Sequence, residues 1–250
     1  MTKEKIAERR VRFRACPFLC SEKSGFLLHS GKFCAILMAI KKRRCYHMLL
    51  FYVRHGDPIY DPDSLTPLGL KQADALAKRL CRYGIDEIYS SSSNRAVLTG
   101  TPTAELLKKE IHKVDWCHEG KAWEYTAMPN GRGGRSWPIA CADNARLFMR
   151  PDVMALGEKW YTHPDVMALH DFTPGLAAIN RDVDAFIASL GYEHDRENHV
   201  YIPTAPNDKR VALFAHYGAG MCVLSSLLDI PYNIFCSVVQ EIYAIVVMKP

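Results

Sequence analysis

No apolar run in the sequence is long enough to cross a bilayer as a helix. The longest one near the amino end, Phe33 to Ile40, stops at the basic stretch Lys41 to Arg44. It is far shorter than the roughly 20 residues that a membrane-spanning helix needs, so no membrane partner is expected. A disulfide framework is also missing. The nine cysteines, at positions 16, 20, 34, 45, 81, 117, 141, 222 and 236, are odd in number and lack paired short spacings; reduced thiols in a cytoplasmic protein are the expectation. Basic charge is scarce once the amino end is set aside. Residues 1–47 hold 12 Lys and Arg against 3 Asp and Glu, whereas the remainder holds 20 against 24. A body near −4 gives a polyanion no broad footprint, so nucleic acid is not an expected partner, while a small anion held by a few placed cations is not excluded.

What the chain does have is 250 residues, 48% of them hydrophobic, enough for one sizeable core. Residues 1–47 combine basic runs (Arg9, Arg10, Arg12, Arg14; Lys41 to Arg44) with four cysteines and show no sustained period. They are expected to be a disordered arm or a start placed too early, with Met48 opening a folded domain over residues 48–250. A zinc site from Cys16, Cys20, Cys34, Cys45 and His47 would need spacings unlike those of a familiar finger.

From Met48 onward, strand patterns alternate with helix patterns, which predicts an α/β fold with helices on both faces of a mostly parallel central sheet. Leu49 to Val53 reads as the first strand. Thr66 and Pro67 supply a cap and a first-turn proline for a helix with Leu68, Ala73, Leu76, Ala77 and Leu80 on one face, ended by Gly84. Glu87 to Tyr89 reads as a second strand. The serines Ser90 to Ser93 then cap a helix towards Glu110 that Pro102 should kink or interrupt. Val114 to Cys117 reads as a third strand, Val211 to Ala215 as a clear apolar one, and Gly218 opens a helix through Leu228. Ile242 to Val247 could close the sheet. Residues 120–202 break this alternation and read as an insertion that shapes a substrate pocket. Its tryptophans, Trp123, Trp137 and Trp160, are expected as small-core anchors. The hexapeptide Pro-Asp-Val-Met-Ala-Leu occurs at 151–156 and again at 164–169, too few copies for a solenoid, and marks two similar helical starts.

Chemistry gathers at the predicted strand ends, where ligands of open α/β sheets bind. The stretch Phe51 to Tyr60 runs from apolar residues straight into Arg54, His55 and Gly56, and the later apolar strand ends on His216, Tyr217 and Gly218. A neutral imidazole there can attack phosphorus and split one hard displacement into two easier ones. Arg54 offers a planar fork of donors for phosphoryl oxygens. Gly56 lets the backbone pass close to a ligand, with its N–H free for an anion cradle.

Four segments in this order resemble the histidine phosphatase superfamily, also called phosphoglycerate mutase-like. They are Val53-Arg54-His55-Gly56, Leu65-Thr66-Pro67-Leu68-Gly69 with Gln72, Ser91-Ser92-Ser93-Asn94-Arg95-Ala96 with Thr99, and Phe214-Ala215-His216-Tyr217-Gly218. The likeness spans about Met48 to Leu228. It implies a three-layer sandwich of that family's type, with a helical insertion, and a reaction that needs no cofactor or metal. It makes His55 the phosphorylated nucleophile, Arg54 and Arg95 the phosphate clamp, and His216 the second histidine that donates to the phosphoryl group. Gly56 and Tyr217 join the phosphate-binding candidates. The family's proton donor is a glutamate, for which Glu119 and Glu124 both qualify; Glu119 is favoured by its setting after a short strand. The remaining histidines, His112, His118, His163, His170, His194 and His199 among them, read as surface residues.

The family's mutases carry other residues after Arg-His-Gly and around the acid. Asp57-Pro58-Ile59-Tyr60 and Cys117-His118-Glu119-Gly120 depart from that pattern and favour a phosphomonoesterase acting on a small phosphorylated substrate. Arg132, Arg135 or the aromatic residues of the insertion are expected to select its non-phosphate part. Three other readings stand beside this one: mutase-type phosphoryl transfer, a metal hydrolase with His55, Asp57 and His216 as ligands, and a non-catalytic phosphate-binding domain.

Overall fold

Leu49–Arg54 (β1) is a strand whose aliphatic and aromatic side chains find cover on both sides. Phe51 and Val53 join one buried cluster, while Leu50 and Tyr52 join another. Arg210–Ala215 (β10) divides in the same way, Ala212 and Phe214 on one side, Val211, Leu213 and Ala215 on the other. A strand buried on both faces reads as an unbroken apolar run instead of an alternating one, which is the pattern both segments have. Each fully buried Leu or Phe contributes about 1.5–3 kcal/mol, so these two strands anchor the sheet.

The computed structural model describes residues 48–239 and 246–248. The basic extension, its cysteines and the zinc reading fall outside the described residues. With β4 (Glu87–Ser91), β5 (Ile111–Val114) and β11 (Val246–Met248), the sheet has five strands in the order β11-β1-β10-β4-β5. Four of them run parallel and β11 lies antiparallel on β1. On one face pack α1 (Pro67–Leu80) and α2 (Asn94–Leu107) through Leu80, Ala104, Leu76 and Leu107. On the other face pack α7 (Thr173–Ser189), α8 (Tyr217–Leu228) and α9 (Tyr232–Val238) through residues such as Val183, Phe186, Leu224 and Phe235. The result is the expected three-layer α/β sandwich, and none of its described helices is long and apolar enough to cross a membrane.

Several local expectations need correction. α1 is capped as read, Thr66 Oγ1 accepting from the Gly69 N–H at 3.0 Å, but it ends at Leu80. Gly84, at φ +67°, sits in the turn beyond it. Leu68 is 56% exposed, because at 3.6 residues per turn it points about 140° away from Ala73, while Gly69 takes the buried position in that turn. α2 runs to Leu107, its cap Ser93 makes no side-chain cap bond, and Pro102 lies inside it without ending it. The third strand is Ile111–Val114, not 114–117: Ile111 to Val114 pair with Ile88 to Ser91, and the chain then turns into α3 (Glu119–Thr126). The closing strand appears as Val246–Met248; residues 242–245 lie outside the described residues.

The stretch between α3 and β10 is built from small pieces. A hairpin of β6 (Met128–Pro129) and β7 (Arg135–Ser136) leads to α4 (Ala142–Phe148). The twin hexapeptides form matching one-turn helices, α5 (Pro151–Met154) and α6 (Pro164–Met167), each with proline in the first turn and a buried valine, Val153 and Val166. After α7, a hairpin of β8 (Tyr192–Asp195) and β9 (Val200–Pro203) returns to the sheet. Trp160 is the anchor the sequence suggested, 1% exposed with Phe172 at 4.8 Å and Phe148 at 4.9 Å. Trp123 is not, being 36% exposed. His194 is no surface residue either: its side chain is fully buried between Asp184 (3.1 Å) and Asp229 (2.9 Å), and Arg196 bridges the same carboxylates.

Candidate active site

The parallel register brings the two histidines together. Arg54 pairs with Ala215 across β1 and β10, and the His55 N–H donates to the Ala215 carbonyl at 2.9 Å. Both imidazoles therefore leave the sheet at adjacent carboxyl ends, with ring centroids 5.2 Å apart. His55 is 8% exposed and His216 fully buried.

Hydrogen bonds orient both rings. His55 Nδ1 lies 2.7 Å from the Gly56 carbonyl oxygen. A carbonyl can only accept, so Nδ1 carries the proton and Nε2 keeps its lone pair. His216 Nε2 lies 2.8 Å from Ser91 Oγ at the end of β4, and Ser91 Oγ accepts from the Ser93 N–H at 3.5 Å. The serine hydroxyl can donate to His216 Nε2, and in that tautomer the ring proton sits on Nδ1. His216 Nδ1 is buried and makes no hydrogen bond within the protein, and the same holds for Arg95 Nε. Below the ring, the Tyr52 hydroxyl donates to the His216 carbonyl at 2.9 Å.

Arg95, in the first turn of α2, is 8% exposed and held by Asp63 at 2.7 Å. Asp63 also accepts from the Asn94 N–H at 2.7 Å. Sequence reasoning missed this aspartate, which sits in the turn between two short paired strands, Pro58–Ile59 and Ser64–Leu65, and belongs to no motif. Arg54 lies with its guanidinium carbon 5.3 Å above the Tyr217 ring, a cation–π distance that links two of the phosphate-binding candidates.

Gly56 behaves differently from the expectation. Its N–H donates to Thr99 Oγ1 at 3.0 Å, and Thr99 in turn donates to the Arg95 carbonyl at 2.7 Å, so the amide ties the loop to α2 and is not turned to an anion. Glycine is required there for space: a Cβ would stand 2.8 Å from the Gly69 carbonyl oxygen. Gln72 Oε1 accepts from the Asp57 N–H at 2.7 Å, and Thr66 donates to Asp57 Oδ2 at 2.6 Å. The Leu65 to Gly69 motif with Gln72 thus secures the loop that follows His55.

Of the two glutamates, Glu119 is at the site and Glu124 is exposed. Glu119 begins α3, and its two carboxyl oxygens accept from the Gly218 N–H at 3.1 Å and the Ala219 N–H at 2.9 Å, at the amino end of α8. His118, read as a surface residue, caps α3 through Nδ1 (3.0 Å to the Gly120 N–H) and stands 5.8 Å from the His216 ring. Its capping role was not legible because histidine is an uncommon cap.

Burial and the two arginines set the electrostatics. Burial, with Arg95 and Arg54 adding to it against the pull of the Gly56 carbonyl, holds His55 below the usual imidazole range. Burial, then the charges of Arg95, His55, His118 and Arg54, pushes His216 down to about 2. Both rings are therefore neutral near pH 7. Burial raises Glu119 above the ordinary carboxyl range, outweighing its two backbone donors and the arginines.

The metal reading finds little support in the arrangement. Asp57 is exposed and engaged by Thr66, and among the described residues no three His, Cys, Asp or Glu side chains group as ligands. Arg135 does not face a ligand either: its guanidinium donates to the Ala127 carbonyl (2.6 and 3.1 Å), closing the β6–β7 hairpin, and Arg132 is exposed.

A family model of the histidine phosphatase superfamily (branch 1) matches residues 50–137. No curated protein sequence matches the chain. Among solved structures, a mycobacterial glucosyl-3-phosphoglycerate phosphatase with inorganic phosphate aligns at 21% identity and a TM-score of 0.46, over 76% of this chain and 83% of that one. A mycobacterial hydrolase aligns at 20% identity and a TM-score of 0.47, over 82% and 88%. Phosphoserine phosphatase of Entamoeba histolytica, with 3-phosphoglyceric acid, aligns at 19% identity and a TM-score of 0.44, over 75% and 83%. The family-model match to the histidine phosphatase superfamily (branch 1) covers the stretch that carries Arg54, His55, Arg95 and Glu119.

Proposed function

We propose that this protein is a phosphomonoesterase that works through a phosphohistidine and needs no metal. The observation that carries this reading is the bond from His55 Nδ1 to the Gly56 carbonyl, 2.7 Å, which fixes the tautomer with a basic Nε2. In the first step, Nε2 attacks phosphorus, a P–N bond forms, the P–O bond to the alcohol breaks, and Glu119 gives its proton to the departing oxygen. In the second, Glu119 takes a proton from water, the water oxygen attacks phosphorus, and the P–N bond breaks to release inorganic phosphate and His55.

Arg54 and Arg95 bind the phosphoryl oxygens, and the His216 Nδ1–H donates to charge that develops on them. The unpartnered, buried Arg95 Nε and His216 Nδ1 support those roles, since buried donors are nearly always satisfied. Tyr217 holds Arg54 in place through its ring. Five free cysteines among the described residues fit a reducing compartment such as the cytoplasm.

The test is a phosphatase assay of the wild type beside His55→Ala, with and without a chelator. The wild type should hydrolyse small phosphate monoesters unchanged in chelator and trap an acid-labile phosphoryl group, and His55→Ala should do neither. Loss of activity in chelator would return the metal-hydrolase reading.

A further inference from the structure

Gly218, whose N–H holds the proposed acid Glu119, lies under the ring of Trp137: a Cβ on Gly218 would stand 2.2 Å from Trp137 Cη2. Trp137 and Tyr217 are also walls of an open cavity of about 520 Å³. That volume is in the range of small-molecule sites. The proton donor must face the oxygen that leaves, so the body of the alcohol lies on the side of Glu119, which is the side covered by Trp137 and Tyr217. The cavity is where that body would go.

Its lining is distinctive in what it lacks. Trp137, Ile139, Met149 and Tyr217, with two alanines, supply aromatic and aliphatic surface, and Cys236 and Ser237 complete it. Among the described residues that line it there is no Asp, Glu, Lys, Arg or His. Cys236 is also neutral, because burial pushes its thiol up to about 12. Of the cations nearest the site, Arg135 closes the hairpin on Ala127, and Arg54, over the Tyr217 ring, and Arg95, on Asp63, are those assigned above to the phosphate. An alcohol bearing a carboxylate would give up part of its hydration against this lining without gaining a charged partner, and that cost discriminates against it.

We infer that the alcohol portion of the substrate is uncharged and apolar, an aromatic or branched aliphatic group seated between Trp137, Tyr217, Ile139 and Met149. This inference rests on the phosphomonoesterase reading and goes beyond it by naming the substrate class. It also sets the chain apart from the phosphatases whose named ligands carry a carboxylate.

The experiment compares benzyl phosphate with phosphoserine and 3-phosphoglycerate, which like it are esters of aliphatic alcohols. The expected result is a kcat/KM at least about tenfold higher for benzyl phosphate. Met149→Lys, at a position already 42% exposed, should lower kcat/KM for benzyl phosphate about fivefold or more. It should leave inhibition by inorganic phosphate within about twofold, because the two sites are independent. Ile139→Lys gives a second variant with the same expectation. Equal kcat/KM for benzyl phosphate and phosphoserine, or an unchanged ratio in both variants, overturns the apolar pocket and leaves the phosphohistidine reading intact. Absence of turnover on every ester, with no phosphoryl group trapped on His55, overturns both.

Discussion

Glu119 caps a helix that is not its own. It opens α3, yet its carboxyl oxygens accept the Gly218 and Ala219 N–H groups of α8 at 3.1 and 2.9 Å. One side chain thus couples the first turn after β5 to the first turn after His216. The helix amino end favours the ionised carboxylate, while burial favours the protonated acid and prevails. A group balanced in this way can give a proton to a leaving alkoxide and take one back from water.

Glu119→Gln keeps the size and one acceptor oxygen but has no proton to exchange. kcat on an alkyl phosphate should fall on the order of 10²- to 10⁴-fold. The loss should shrink on p-nitrophenyl phosphate, whose leaving group needs no proton. An equal loss on both esters would remove Glu119 from the role of acid.

The pH profile follows from the same two groups. His55 must be neutral to attack and its range is lowered from 6.5, so the acid limb should have its midpoint below 6.5. Glu119 must be protonated to donate and its range is raised from 4.5, so activity should fall on the alkaline side of a midpoint above 4.5. Glu119→Gln should lose the alkaline limb and keep the acid one. A flat profile across both regions would contradict the pair of assignments.

His216 ties stability to pH. Its folded range is depressed to about 2 from 6.5, so the unfolded chain binds a proton that the folded one refuses whenever the pH lies between those values. Stability should fall as pH drops below 6.5, by up to about 1.4 kcal/mol per pH unit for this group. Thermal melts between pH 7 and pH 4 should show a shallower loss in His216→Gln than in the wild type. Parallel curves would mean that water reaches the ring and protonates it without unfolding.

β1, β10 and the candidate histidines were legible because each rests on a local signal. β1 and β10 are apolar on both faces, and parallel strands must end where ligands bind, so His55 and His216 could be placed from pattern alone. The relation of Glu119 to α8 was harder, because 99 residues separate it from Gly218; its setting after a strand and its separation from Arg95, both like those of the family's acid, favoured it over Glu124. Asp63 had no signal, since it meets Arg95 only when the turn between β2 (Pro58–Ile59) and β3 (Ser64–Leu65) lies against the start of α2. No strand spans 114–117 because Trp116 and Cys117 are apolar for a different reason: Trp116 packs on Phe186 of α7, and both line a small cavity with Ala219 of α8. Pro102 misled because a proline removes a single helix bond, and α2 is held along its length by packing on β4 and β10 through residues such as Gly100, which lies against Phe214.

Gly218 offers the sharpest steric test. A methyl group added there would meet Trp137 Cη2 and Cζ2 at 2.2 and 2.4 Å, so in Gly218→Ala the indole must move. Overpacking of this kind costs about 1–3 kcal/mol, and the displaced ring also uncovers the amide that holds Glu119. The expectation is a lower melting temperature together with reduced kcat. Trp137→Ala removes the obstacle, so the double variant Gly218→Ala/Trp137→Ala should be more stable than the sum of the single losses predicts, with a coupling of at least about 0.5 kcal/mol. Additive losses would show that the indole has room to swing away, and that Trp137 does not press on the amino end of α8.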